Sequence, residues 1–76
     1  MSIKDMVVSV LADCGCQNSY QIKGSIYRKF GEVVTQSAIT GAIRTLYNQS
    51  LATRSADGSG KMVYWLTDYG KEKLIK

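Results

Sequence analysis

The sequence predicts one small α+β domain spanning residues 1–76, with three helices, a two- or three-stranded β-hairpin and a short C-terminal helix. Three observations lead there. Three stretches repeat apolar residues at the three-and-four spacing of a helix with one buried face, each behind a capping residue. Two β-prone runs then flank a glycine-bearing loop of four residues, the pattern of a hairpin. Finally, 76 residues with 45% apolar content suffice for one core and leave no room for a catalytic lobe.

Taken in order, Ser2 caps a first helix whose inner stripe is Ile3, Met6, Val7, Val10 and Leu11. That helix runs to about Asp13 and stops at Gly15, and Cys16 to Ser19 form a polar connector able to pair weakly as a first strand. A second helix starts near Tyr20, capped by Asn18 or Ser19, with Ile22, Ile26, Tyr27 and Phe30 inside and Lys23, Arg28 and Lys29 facing elsewhere. Gly31 and the β-branched Val33 and Val34 break the period, so residues 30–35 read as a turn. Thr35 then caps a third helix, Gln36 to about Gln49, with Ile39, Ile43, Leu46 and Tyr47 as its stripe. Leu51 to Ala56 and Lys61 to Leu66 are the strands, joined by Asp57-Gly58-Ser59-Gly60. Thr67 caps a closing helix from Asp68 to about Ile75.

Composition excludes several functions. Without histidine no Ser-His-Asp or Cys-His constellation can form, and no glycine-rich phosphate loop follows a strand, so the chain is read as no enzyme. Cys14 and Cys16 cannot alone supply the four ligands of structural zinc; they are expected to be reduced thiols, with no metal and no cofactor. No stretch reaches the roughly 18 apolar residues of a membrane span, and no signal peptide opens the chain, which points to a cytoplasmic protein.

Charge is distributed unevenly. Between Tyr20 and Leu66, Lys23, Arg28, Lys29, Arg44, Arg54 and Lys61 face only Glu32 and Asp57, so this segment holds the whole excess of +4. The polar face of the third helix, Gln36, Ser37, Thr40, Gly41, Arg44, Thr45 and Asn48, contains no acidic residue. An ordinary solvated helix would mix charges for i,i+4 pairs and avoid threonine and glycine. Hydrogen-bonding side chains free of negative charge suit base edges in the DNA major groove, which admits one α-helix.

The order of helices and hairpin is the layout of a winged helix. The run Ile39, Ile43, Leu46, then Leu51-Ala52-Thr53-Arg54, the Asp57-Gly58-Ser59-Gly60 loop and Tyr64-Trp65-Leu66-Thr67-Asp68-Tyr69-Gly70 resembles winged helix-turn-helix transcription regulators of the MarR and PadR kind. In those proteins a recognition helix leads to a GL-x-x-R strand, a wing and a closing Y-x-L-T-x-x-G motif. The resemblance covers residues 20–74, with Ser50 standing where those families usually have glycine and without their long flanking dimerisation helices. In compactness the chain is similar to small DNA-binding proteins of bacteriophages and mobile elements. The resemblance implies sequence-specific binding of double-stranded DNA by a small transcription regulator or DNA-complex protein.

The residues expected to act can be named. Gln36, Ser37, Thr40 and Arg44 are the base readers; Arg28, Lys29 and Thr35 meet phosphate; Arg54, Ser55, Ser59 and Lys61, in the wing 54–61, touch the backbone or minor groove. Tyr27, Tyr47, Tyr64, Trp65 and Tyr69 read as core packing rather than base-stacking platforms. The first and last helices are the surfaces through which a homodimer could form, and so small a core leaves little room for a ligand pocket, so no small-molecule effector is expected. The alternative is a protein-interaction module docking on a polymerase, a nuclease or a host regulator. A third reading is an RNA-binding winged helix.

Overall fold

In the computed structural model, which describes residues 2–56 and 58–74, the element order is α1 (Ile3–Cys14), α2 (Ser19–Phe30), α3 (Gln36–Asn48), β1 (Ala52–Ala56), β2 (Met62–Leu66) and α4 (Asp68–Leu74). Asp57, in the expected hairpin loop, and Ile75, the expected last residue of the closing helix, lie outside the described residues. Among the described residues no helix is long and apolar enough to cross a membrane.

Each helix begins where a side chain satisfies backbone N–H groups that have no partner within the helix. Ser2 Oγ accepts from the Asp5 N–H at 3.1 Å to start α1. At α2, Asn18 Oδ1 accepts from the Gln21 N–H at 2.8 Å while the Asn18 N–H donates to Gln21 Oε1 at 2.9 Å, a reciprocal capping box. Thr35 Oγ1 accepts from the Ala38 N–H at 3.2 Å at α3, and Thr67 Oγ1 accepts from the Gly70 N–H at 2.8 Å at α4.

The core lies where α1 crosses α2 and α3 and the base of the hairpin closes over them. Val7, Val10, Leu11, Ile22, Ile26, Ile39 and Leu46 are fully buried, and Leu51, Ala52 and Leu66 seal the hairpin side. Val8 is buried as well, although it stands outside the expected stripe. Three expected core aromatics are not core. Tyr27 is 59% exposed and Tyr47 is 43% exposed, because each lies one helical step beyond the buried stripe, at its edge. Tyr69, also expected inside, is 51% exposed.

Gln17 anchors the connector between α1 and α2, a role its polarity conceals in the sequence. It is 5% exposed; its Nε2 donates to Val10 O at 2.9 Å and its Oε1 accepts from Ser25 Oγ at 2.7 Å. Its backbone pairs with Tyr64 in both directions, at 3.0 and 2.8 Å. That single antiparallel bridge is all that remains of the expected third strand, so the sheet is two-stranded. Gln17 thereby ties α1, α2 and β2 together, with every side-chain bonding atom satisfied.

The hairpin runs antiparallel in the register Ala52 to Leu66, Arg54 to Tyr64 and Ala56 to Met62. Chain direction into it is set by Ser50, a non-glycine residue in the left-handed region at φ 60°. This is the position where the resembling families place glycine, and the backbone geometry explains why. The closing glycine has a different reason. A Cβ on Gly70 would lie 1.9 Å from Leu51 O, so α4 touches the strand entrance backbone to backbone.

Candidate nucleic-acid interface

The outward side of α3 carries Ser37, Thr40, Gly41, Arg44, Thr45 and Asn48, all exposed. No acidic residue occupies its first turn, so no side-chain charge compensates the positive end of the helix dipole. Thr40 Oγ1 donates to Gln36 O at 3.0 Å and Thr45 Oγ1 to Gly41 O at 3.1 Å. Both hydroxyl protons are thus committed to the helix, which leaves the oxygens facing outward as acceptors. Acceptors on this face match the exocyclic amines of adenine and cytosine in the major groove.

Gln36 differs from the other three expected base readers. It sits at the margin between the buried and exposed sides of α3, and both amide atoms are enclosed without a hydrogen-bond partner among the described residues. Leaving such a group unpaired costs about 1–3 kcal/mol, so its hydrogen-bonding capacity is unspent.

Between α3 and the hairpin lies a cleft of about 280 Å³. Among the described residues, Thr40, Ile43, Arg44, Tyr47 and Asn48 line it from α3, Arg54 from β1 and Tyr64 from β2, none of them acidic. The Arg54 guanidinium lies over the Tyr47 ring at 4.7 Å from its centroid, a cation–π contact joining wing to helix. Thr40 and Arg44, expected to read bases, therefore share one cleft with Arg54, expected on the wing. Tyr47 and Asn48 complete it. Sequence spacing could have signalled Tyr47, which follows Arg44 by three positions and Thr40 by seven, on the same side of the helix.

The expected phosphate contacts are placed elsewhere. Lys29 forms an ion pair with Asp13 at the end of α1 and lies 5.7 Å from the Phe30 ring. Arg28 leans on Ser25 Oγ at 3.4 Å, and both basic residues line the groove between α1 and α2 together with Cys14. Thr35 spends its hydroxyl oxygen as the α3 cap. On the wing, Ser55 Oγ donates to Ala56 O at 3.4 Å, while Ser59 and Lys61 are exposed beside the glycines of the hairpin turn. The structure thus brings Thr40, Arg44 and Arg54 together and keeps Arg28 and Lys29 on a separate groove. Cys14 and Cys16 are free and exposed, and among the described residues no group of side chains could hold a metal ion.

No protein-family profile and no curated protein sequence matches the chain. Solved structures do. RosR of H. salinarum is 20% identical with a TM-score of 0.84, over 99% of this chain and 67% of that one. A winged-helix DNA-binding protein from STIV is 17% identical with a TM-score of 0.80, over 92% of this chain and 76% of that one. A MarR family transcriptional regulator from Silicibacter pomeroyi is 26% identical with a TM-score of 0.78, over 95% of this chain and 45% of that one. The chain therefore spans from under half to about three quarters of the proteins it resembles. Its fold, three helices with an antiparallel hairpin and a closing helix, is the winged helix-turn-helix, MarR-like in architecture.

Proposed function

We propose that this chain binds double-stranded DNA sequence-specifically, as a small transcription regulator or DNA-complex protein, with α3 in the major groove and the wing on the backbone or minor groove. The observation that carries the reading is the acid-free outer side of α3 running without interruption into the arginine-bearing cleft. Ser37, Thr40 and Arg44 are its base readers, Gln36 joining them when its amide turns outward. A good bidentate contact, such as Arg44 on guanine, is worth about 1–3 kcal/mol of discrimination. Arg54 contacts backbone, with Ser55, Ser59 and Lys61 along the wing, while Arg28, Lys29 and Thr35 are secondary phosphate contacts.

The fold's occurrence in a DNA-binding protein from STIV and in a MarR family regulator supports this reading. On this reading the chain is a binding protein rather than an enzyme and acts in the cytoplasm; that it takes no small-molecule effector rests on the size of its core, not on its structural neighbours. It pairs as a homodimer through α1 and α4, since one winged helix spans too few base pairs for useful specificity.

Fluorescence anisotropy with random-sequence duplex, followed by selection from a random library, tests the proposal. Affinity should fall steeply with salt as lysine and arginine contacts release counterions. A recovered consensus should blur at one position in Arg44→Ala. Absence of duplex binding at low salt overturns the reading, and tighter binding to structured RNA of equal length would redirect it.

A further inference from the structure

We infer that Tyr47 is the residue that positions Arg54 for phosphate, its ring holding the guanidinium in the cleft between α3 and the wing, where the proposed complex places the DNA backbone strand that separates the two grooves. This rests on the proposed duplex binding and deepens it. In B-form DNA the ridge between a major groove and the adjacent minor groove is a sugar-phosphate strand. A body that places a helix in one groove and a hairpin along the next must leave a channel for that strand. Among the described residues, those lining the 280 Å³ cleft come from α3 and the two hairpin strands, so it has the position such a channel requires.

Its chemistry fits a phosphodiester. Arg44 and Arg54 are the charged residues lining it, Thr40, Asn48 and the Tyr47 and Tyr64 phenols add polar groups, and Ile43 forms an apolar floor. Arginine suits phosphate because its planar fork offers paired donors. An exposed arginine on a strand would ordinarily sample many rotamers and lose that freedom on binding. Here the Tyr47 ring, 4.7 Å from the guanidinium carbon, holds Arg54 against α3 before any ligand arrives. A cation–π contact draws on the charge of the guanidinium and not on a hydrogen bond, so it does not consume the N–H donors. Register adds a second restraint, because Arg54 stands opposite Tyr64 across the hairpin. Tyr47 is accordingly 43% exposed not as a failed core residue but as a platform.

The test is a double-mutant cycle read by anisotropy with a labelled duplex over a salt series, using the whole chain. Arg54→Ala should weaken binding about eightfold near 0.1 M salt and lower the slope of log K against log salt by about 0.9, the signature of one lost phosphate contact. Tyr47→Ala should weaken binding about two- to fivefold, the range of an exposed cation–π contact. In the Arg54→Ala background the same change should have almost no effect. Tyr47→Phe, which keeps the ring, should restore binding. In the free protein, NMR should show Arg54 side-chain protons shifted upfield by the ring, and the shift should vanish in Tyr47→Ala while the melting curve is retained.

Three results overturn the inference: Tyr47→Phe as damaging as Tyr47→Ala, losses that multiply independently in the double mutant, or an unchanged salt slope in Arg54→Ala. Absence of duplex binding by the wild-type chain overturns the functional reading and the phosphate seat with it, whereas the ring-current shift reports the Tyr47–Arg54 contact separately.

Discussion

Replacing Gly70 by alanine separates two opposed effects that the structure allows to be weighed. Alanine is the better helix former by about 1 kcal/mol, so propensity alone predicts a stabilised α4. Against this, the new Cβ would lie 1.9 Å from Leu51 O, 2.8 Å from Leu51 C and 3.0 Å from Leu51 Cα, all backbone atoms that no rotamer change can move. Relief requires α4 to shift off the strand entrance. Overpacking of this kind costs about 1–3 kcal/mol. The shift also strains the Thr67 N–H bond to Leu51 O at 3.1 Å and the Thr67 Oγ1 bond to Ser50 O at 2.8 Å, each worth about 1 kcal/mol. The net expectation is a loss of about 2–4 kcal/mol, a large share of the ~4–11 kcal/mol available to a domain of this size. Urea and thermal unfolding followed by circular dichroism measure it, with a fall in Tm of ~10–25 °C. Gly24 in α2 is the control: a Cβ there meets nothing within 4 Å, so Gly24→Ala should stabilise by up to about 1 kcal/mol. If Gly70→Ala proved neutral or stabilising, the close approach of α4 to Leu51 would be wrong.

Other substitutions probe the remaining joints. Ser50→Gly should stabilise by about 0.5–1 kcal/mol, because the φ of 60° is strained for serine and natural for glycine; urea midpoints report it. Gln17→Ala should cost about 2–3 kcal/mol by leaving Val10 O and Ser25 Oγ without their partner, with hydrogen exchange accelerating first at the Gln17–Tyr64 bridge. Lys29→Ala should change stability by less than about 1 kcal/mol, since its pair with Asp13 is 39% and 55% exposed. In duplex binding it should matter less than Arg54→Ala, because the ion pair already occupies part of its charge.

The caps were legible residue by residue. Ser2, Asn18, Thr35 and Thr67 are oxygen-bearing side chains standing just before apolar periods, and each accepts a backbone N–H within three residues, so the signal and the interaction are both local. The hairpin was legible for the same reason. What sequence reading missed depends on contacts between distant parts of the chain. Gln17 looks like a surface residue until α1, α2 and β2 are assembled around it. Lys29 looks like a free cation until α1 delivers Asp13 from sixteen positions away. Tyr47 fits the apolar stripe by spacing alone, and only the placement of β1 shows that its ring meets Arg54 instead of the core. The glycine of the closing motif was visible at Gly70, but its cause, the Leu51 carbonyl, is tertiary.

The central claim, that the outer side of α3 and its cleft engage duplex DNA, is tested most directly by an NMR titration of the labelled chain with a selected duplex at moderate salt. Binding should shift the resonances of Ser37, Thr40, Arg44, Asn48 and Arg54, and a rise in salt should reverse the shifts. Shifts confined to the exposed apolar residues Tyr20, Tyr27 and Val33, with α3 unchanged, would contradict it.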